Sequence, residues 1–245
     1  MRQFVLIIIL ILPQWILSKE PVALISKLRG VVNNKMFSDD EYQSKTNLNT
    51  PIITESQIRT NDNSFTKVVY LDDGTSISMY PQTELIIRGT INNRFILKQI
   101  YLVNGILRVN VTQQKIGIFK LVTPYSELTC KECGFWIISD ELNGDKFIKE
   151  SGDSEVWNTS MNITAELVSD STLISQLKVN FNKYKTPIAD VKYIEFLMFE
   201  ADEIPQQYKI EDHQTQESDT TLNIVVIKLK NAANLEREII LTYTQ

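Results

Sequence analysis

The run Phe65-Thr66-Lys67-Val68-Val69-Tyr70-Leu71-Asp72-Asp73-Gly74-Thr75-Ser76-Ile77-Ser78-Met79-Tyr80 constrains the fold more than any other part of the chain. β-Branched and aromatic residues alternate with polar ones on both sides of Asp73-Gly74. Asp-Gly between two such runs is a strong hairpin signal, because Gly reaches the positive φ that the favoured tight turns require. The stretch therefore predicts strand, turn, strand, with Phe65, Val69, Leu71, Ile77 and Met79 sharing one face. Asp72 and Asp73 read as turn carboxylates, since Asp hydrogen-bonds the backbone of its own turn.

Turn residues recur at short intervals: Asn33-Asn34, Asp39-Asp40, Asn61-Asp62-Asn63, Asn92-Asn93, Asn104-Gly105, Asn143-Gly144 and Ser151-Gly152. Between them lie apolar runs of period two. Tyr101-Leu102-Val103 and Ile106 to Val111, split by Asn104-Gly105, predict a second hairpin. Ile116 to Val122 reads as a strand closed by Thr123-Pro124, and Phe135 to Ser139 and Lys146 to Glu150 continue the pattern. No ten-residue amphipathic helix is evident before residue 160. Many short strands at regular spacing predict an all-β fold, an antiparallel sandwich or roll.

Between residues 158 and 171 the composition shifts to Asn, Ser and Thr, which reads as a linker or boundary loop. It would separate a β domain at 19–157 from a smaller β-rich unit at 172–245, for which an immunoglobulin-like topology is one form. Leu222 to Lys230 and Glu238 to Tyr243 read as the closing hairpin of that unit.

Residues 1–18 carry one basic residue, an apolar run from Phe4 to Leu12, and small Ser18, the pattern of a secretory signal peptide. A spanning helix needs about 20 apolar residues, and this run is shorter and interrupted by Pro13. An exported protein, periplasmic or extracellular, is expected, with an N-terminal inner-membrane anchor as the alternative. No later run is apolar and long enough to span a bilayer once the signal is removed. The net charge of −5 and singly spread Lys and Arg supply no basic footprint for nucleic acid.

From Val22 to Val156 the order of motifs resembles the FecR domain, a bacterial envelope module named for a regulator of ferric-citrate uptake. The resemblance runs through Val22-Ala23-Leu24-Ile25, Gly30-Val31-Val32, and Gln57-Ile58-Arg59-Thr60. It continues through Asp73-Gly74-Thr75, then Thr83, Leu85 and Ile87, then Leu102, Gly105, Leu107 and Val109, then Thr123-Pro124, and ends at Gly152. Glu55-Ser56 stands where the family has Gly-Asp, and Cys130-Lys131-Glu132-Cys133 where it has Val-Arg-Gly-Thr. Lys131 keeps the charge without the planar fork of Arg. Known members are anti-sigma regulators with a cytoplasmic helical domain, a membrane span and a periplasmic part. A chain that starts at its signal sequence is expected to be a stand-alone exported relative. The resemblance implies a non-enzymatic protein that binds envelope proteins in signalling or scaffolding.

Residues with chemistry are few. Cys130 and Cys133 are the only cysteines, and a local disulfide is expected in an oxidising compartment. Unpaired packing, a redox pair, or a metal are the alternatives, but a closed zinc site needs about four ligands and the chain holds a single histidine. That residue, His213, sits in a polar stretch without an evident orienting partner. No catalytic residue, cofactor site or metal site is assigned. Trp136 and Trp157 are the candidate ligand-surface aromatics, and they carry the alternative function, binding of peptidoglycan or another glycan. Core packing is the competing role for both.

Overall fold

A computed structural model describes residues 20–42, 46–169, 171–201, 209–217, 222–230 and 236–244. The elements are β1 (Pro21–Arg29), β2 (Val32–Met36), β3 (Pro51–Ile53), β4 (Ser56–Thr60), β5 (Phe65–Tyr70), β6 (Ser76–Met79), β7 (Glu84–Asn92), β8 (Phe95–Val111) and β9 (Phe119–Val122). They continue as β10 (Ser126–Asp140), β11 (Gly144–Asn158), β12 (Ile163–Glu166), β13 (Ser171–Gln176), β14 (Val179–Lys185), α1 (Ile188–Glu200), β15 (Lys209–Glu217), β16 (Leu222–Lys230) and β17 (Glu236–Thr244). The fold is all-β apart from the one described helix. Residues 1–18, read in the sequence as a signal peptide, lie outside the described residues.

Strands β1 to β14 form one sheet whose main path runs β14-β13-β11-β10-β9-β8-β6-β5-β1-β3. Strands β2, β4 and β7 join it through β8, and β12 joins it through β11. Every pairing is antiparallel except β8 with β9, where Gln99 to Tyr101 face Lys120 to Val122 in parallel. Strands from β1 to β13 contribute to a single buried cluster that includes Ile25, Ile58, Val68, Leu107, Phe135 and Leu173. The sheet thus wraps around its own inner face, as a roll does.

The Asp73-Gly74 hairpin forms, with Val68 opposite Ile77 and Thr66 opposite Met79. Its inward face differs from the expectation. Val68 and Tyr70 are buried with Ile77 and Met79, whereas Leu71 is half exposed. A shift of one residue moves every side chain of a strand to the other face. Phe65 points away from the main core and joins a second cluster with Tyr80 and Trp136.

The expected hairpin at Asn104-Gly105 does not form. Residues 95–111 are one continuous strand, β8, whose first part pairs with β7 and whose second part pairs with β6 and β10. Gly105 (φ 108°) marks the change of partner, and a Cβ there would lie 2.5 Å from Thr83 Cα. Glycine is required for a close backbone approach at this point, not for a turn.

The segment 158–171 is part of the sheet system rather than a free linker. Strand β12 pairs with β11 at Val156–Ala165 and Trp157–Thr164. Asn158 is buried, and its Oδ1 accepts the N–H groups of Ser160 and Met161 while its Nδ2 donates to Ser175 Oγ. Strands β13 and β14 extend the first sheet, so residues 172–185 belong with it. The remaining strands, β15 to β17, form a separate antiparallel sheet in which Val225 faces Leu241 and Ile227 faces Ile239.

Residues 191–199, read with the β-rich unit in the sequence, lie in α1. Its residues are apolar on nearly every side, which masks the helical period. Leu197 and Ala201 are buried against Phe65, Tyr80, Trp136 and Ile148, with Ile194 and Met198 alongside. The helix therefore covers the outer face of β5, β10 and β11. Lys146 pairs with Asp190 in its first turn at 3.2 Å, where a carboxylate suits the helix dipole.

Candidate functional site

Beside α1 lies a groove of about 1020 Å³. Its floor comes from the ends of β4 and β7 and from the bend of β8, and one wall comes from Tyr193 and Leu197 of α1. Three motif positions build that floor. Thr60 Oγ1 donates to Tyr80 O at 2.5 Å and accepts the N–H of Thr83 at 3.0 Å. Thr83 Oγ1 accepts the N–H of Ile106 at 2.9 Å, directly against Gly105. Hydroxyls that satisfy buried backbone groups hold three chain segments in one arrangement.

The rim is polar. Asp62 accepts from Gln82 Nε2 at 2.6 Å, with Gln82 itself at φ 57°. Glu84 accepts from Gln57, and Arg59 lies exposed opposite Glu84 in the β4–β7 register. Asp140 Oδ1 accepts the N–H groups of Leu142 and Asn143, and these bonds hold its carboxyl below the usual carboxylate range. The Leu142 side chain it positions is 90% exposed at the groove edge. On the neighbouring surface of α1, Ile188, Val191, Tyr193 and Phe196 are all exposed.

The aromatic pair expected to face a ligand is divided. Trp136 is buried: its ring lies 4.9 Å from that of Tyr80, and its Nε1–H donates to Glu150 Oε1 at 2.7 Å. It cannot stack on a ligand, because α1 covers the face that alternation leaves open. Trp157 is 38% exposed on β11, donates to Asn162 Oδ1 at 3.3 Å, and does not line the groove.

Cys130 and Cys133 are joined in a disulfide within β10. It closes a bulge whose tip, Lys131 and Glu132, is exposed, and a second groove of about 1090 Å³ runs past it. Gly152 (φ 66°) sits opposite and makes room for the bulge. Gly30 (φ 75°) packs against Ser64, whose Oγ accepts the N–H of Val31. Pro124 is exposed in the turn after β9. His213 pairs with Ile227 across β15 and β16. Among the described residues, no group of His, Cys, Asp and Glu has the arrangement of a metal site.

No family model matches the chain, and no curated protein matches it. Two crystal structures, each of a candidate anti-sigma factor from Parabacteroides distasonis ATCC 8503, are similar. One is 13% identical, covers 70% of this chain and 97% of its own, and has a TM-score of 0.45. The other is 12% identical, covers 77% of this chain and 99% of its own, and has a TM-score of 0.46. Likeness at this level says nothing of a site or a partner.

Two buried polar clusters centre on Asp145 and Lys98, neither of which carries an obvious sequence signal. In the first, Asp145 accepts from Ser139 Oγ at 2.7 Å and from the hydroxyls of Thr123 and Ser126. Burial pushes its carboxyl above the usual range, although these hydroxyls pull the other way. Thr123 of the Thr-Pro motif also accepts the N–H groups of Tyr125 and Ser126, so the motif anchors a turn to this carboxylate. In the second, Lys98 lies buried against Asp72 at 2.8 Å and Asp73 at 2.9 Å. Burial pushes the Asp73 carboxyl up, but hydrogen bonds from Lys98 and Thr75 outweigh it and hold it below the usual range. A lone Lys in a β run carries nothing that marks it as buried.

Proposed function

We propose that this chain is a non-enzymatic envelope protein of FecR-like type, exported from the cytoplasm, that binds a protein partner at the α1 side of the groove. The observation that carries this reading is the exposed apolar surface of Ile188, Val191, Tyr193 and Phe196 beside a polar-rimmed groove. An apolar centre with a polar rim is the anatomy of a protein interface. A photo-crosslinking residue at position 193 is expected to capture one or two envelope proteins reproducibly in cells. The same residue at position 153, whose side chain is fully exposed elsewhere, serves as the control. Capture that is equal from both positions, or absent from 193, overturns the reading.

The groove lining supports a second reading, a glycan ligand. Asn33, Asn61, Gln82 and Asn104 offer amides, and Tyr193 offers a ring face. Binding of peptidoglycan fragments that is abolished by Tyr193→Ala and unaffected by Trp157→Ala would favour it over the protein partner.

A further inference from the structure

Lys98 lies in a dry cluster with two carboxylates. Its side chain is 1% exposed, and that of Asp72 is 4% exposed. The Lys98 Nζ has four acceptors within reach: Asp72 Oδ2 at 2.8 Å, Asp73 Oδ2 at 2.9 Å, Gln114 Oε1 at 3.1 Å and Ile96 O at 3.1 Å. The ring of Tyr70 closes the site 5.4 Å away. An ammonium has only three protons to give. Asp72 is asymmetric: Oδ2 also accepts the N–H of Ile96 at 2.8 Å, whereas Oδ1 is buried with no hydrogen-bond partner. One cation buried with two carboxylates, one of them with an unsatisfied oxygen, costs folding free energy that a neutral group would not.

We propose that Lys98 and Asp72 condense into an intramolecular amide, with Asp73 carrying the proton. Transfer of one proton along the Lys98–Asp72 hydrogen bond turns the ion pair into a neutral amine and a carboxylic acid. The amine nitrogen then bonds to Asp72 Cγ. Asp73, hydrogen-bonded to the same nitrogen, takes its proton and passes it to the departing oxygen. The proton first given to Oδ2 also moves to Oδ1, the C–O bond to Oδ1 breaks and Oδ1 leaves as water, while Oδ2 stays as the amide carbonyl on the N–H of Ile96. Atoms balance as amine plus acid giving amide plus water, and Asp73 ends as it began. Held reactants reach effective concentrations on the order of 10⁵ M or more, far above those in solution. The product loses both the buried charge pair and the unpartnered oxygen, and it ties the β5–β6 turn to β8.

The test is peptide mapping of the purified full chain by trypsin and tandem mass spectrometry. The expected result is that peptides 68–88 and 95–108 remain joined, lighter together by one water, with no cleavage after Lys98. Lys98→Arg and Asp73→Asn are expected to give separate peptides of full mass. Wild-type protein that gives peptide 68–88 at full mass, with 95–98 and 99–108 released by cleavage after Lys98, overturns the proposal. So does a lost water that maps to Asp73-Gly74 alone, which would be a succinimide of the turn. Joined peptides in Asp73→Asn at the wild-type extent would overturn the role given to Asp73.

Discussion

Gly152 lies so close to Glu132 that a Cβ on it would stand 2.1 Å from the Glu132 carbonyl oxygen. Strand β11 is thereby fitted to the bulge that the Cys130–Cys133 disulfide closes in β10. Gly152→Ala must pay for a left-handed backbone, roughly 1–2 kcal/mol, and must also displace the bulge. Gly74→Ala has a similar φ of 78° but meets nothing within 4 Å, so only the backbone term applies. Denaturant unfolding is expected to show a clearly larger loss for Gly152→Ala. Equal losses would mean that the bulge yields freely.

The disulfide itself closes a very short loop, with a sequence separation of 3. Chain-entropy arguments then limit its contribution to about 2 kcal/mol. The Cys130→Ser, Cys133→Ser double variant is expected to fold and to unfold at modestly lower denaturant. A reductant should lower the wild type to the same midpoint and leave the variant unmoved. Failure to fold at all would show that the bridge carries far more than loop closure.

Asp145 offers a pH test whose sign is determined by its burial. Its carboxyl is raised in the folded protein above the unfolded value near 3.9. The ionised form therefore weakens folding above the folded-state pKa, and that penalty fades as pH falls toward the unfolded value. Asp145→Asn has no such titration. The stability of the variant relative to wild type is expected to rise with pH across this window and to level off above it. A difference that falls with rising pH would show that the hydroxyls of Thr123, Ser126 and Ser139 outweigh the burial.

Leu197 anchors α1 to Phe65, Tyr80 and Trp136. Leu197→Ala is expected to cost about 2–5 kcal/mol if the site cannot collapse, and less if the helix lifts away. Fluorescence separates the two cases. Lifting exposes Trp136 and shifts emission to the red, whereas a cavity under a docked helix leaves it unchanged.

Tyr193→Ala should leave stability within about 0.5 kcal/mol, because the side chain is exposed and removal opens no cavity. A loss of partner capture at unchanged thermal midpoint would assign Tyr193 to recognition. A large drop in midpoint would instead make it part of the helix anchor.

The sequence alone was enough to indicate a β-rich chain, the Asp73-Gly74 hairpin and the pairing of residues 222–230 with 238–243, because period-two patterns and turn residues act locally. It also marked Thr60, Gly105, Thr123 and Gly152 through motif order, without saying what they touch. The tertiary structure decided the rest. Gly105 reads equally as a turn or a bend until Thr83 is seen against it, and Val68 rather than Val69 faces inward because β6 sets the register. Phe135 and Trp136 are both buried, since α1 covers the outer face that alternation would leave to solvent. The helix is not legible in the sequence because its nearly uniform apolar surface carries no clear period, and the burial of Lys98 is not legible because it depends on Asp72, Asp73 and Gln114, which only folding brings together. Local patterns determine which segments become strands; contacts between distant segments determine which face is inside and which charged groups must meet without water.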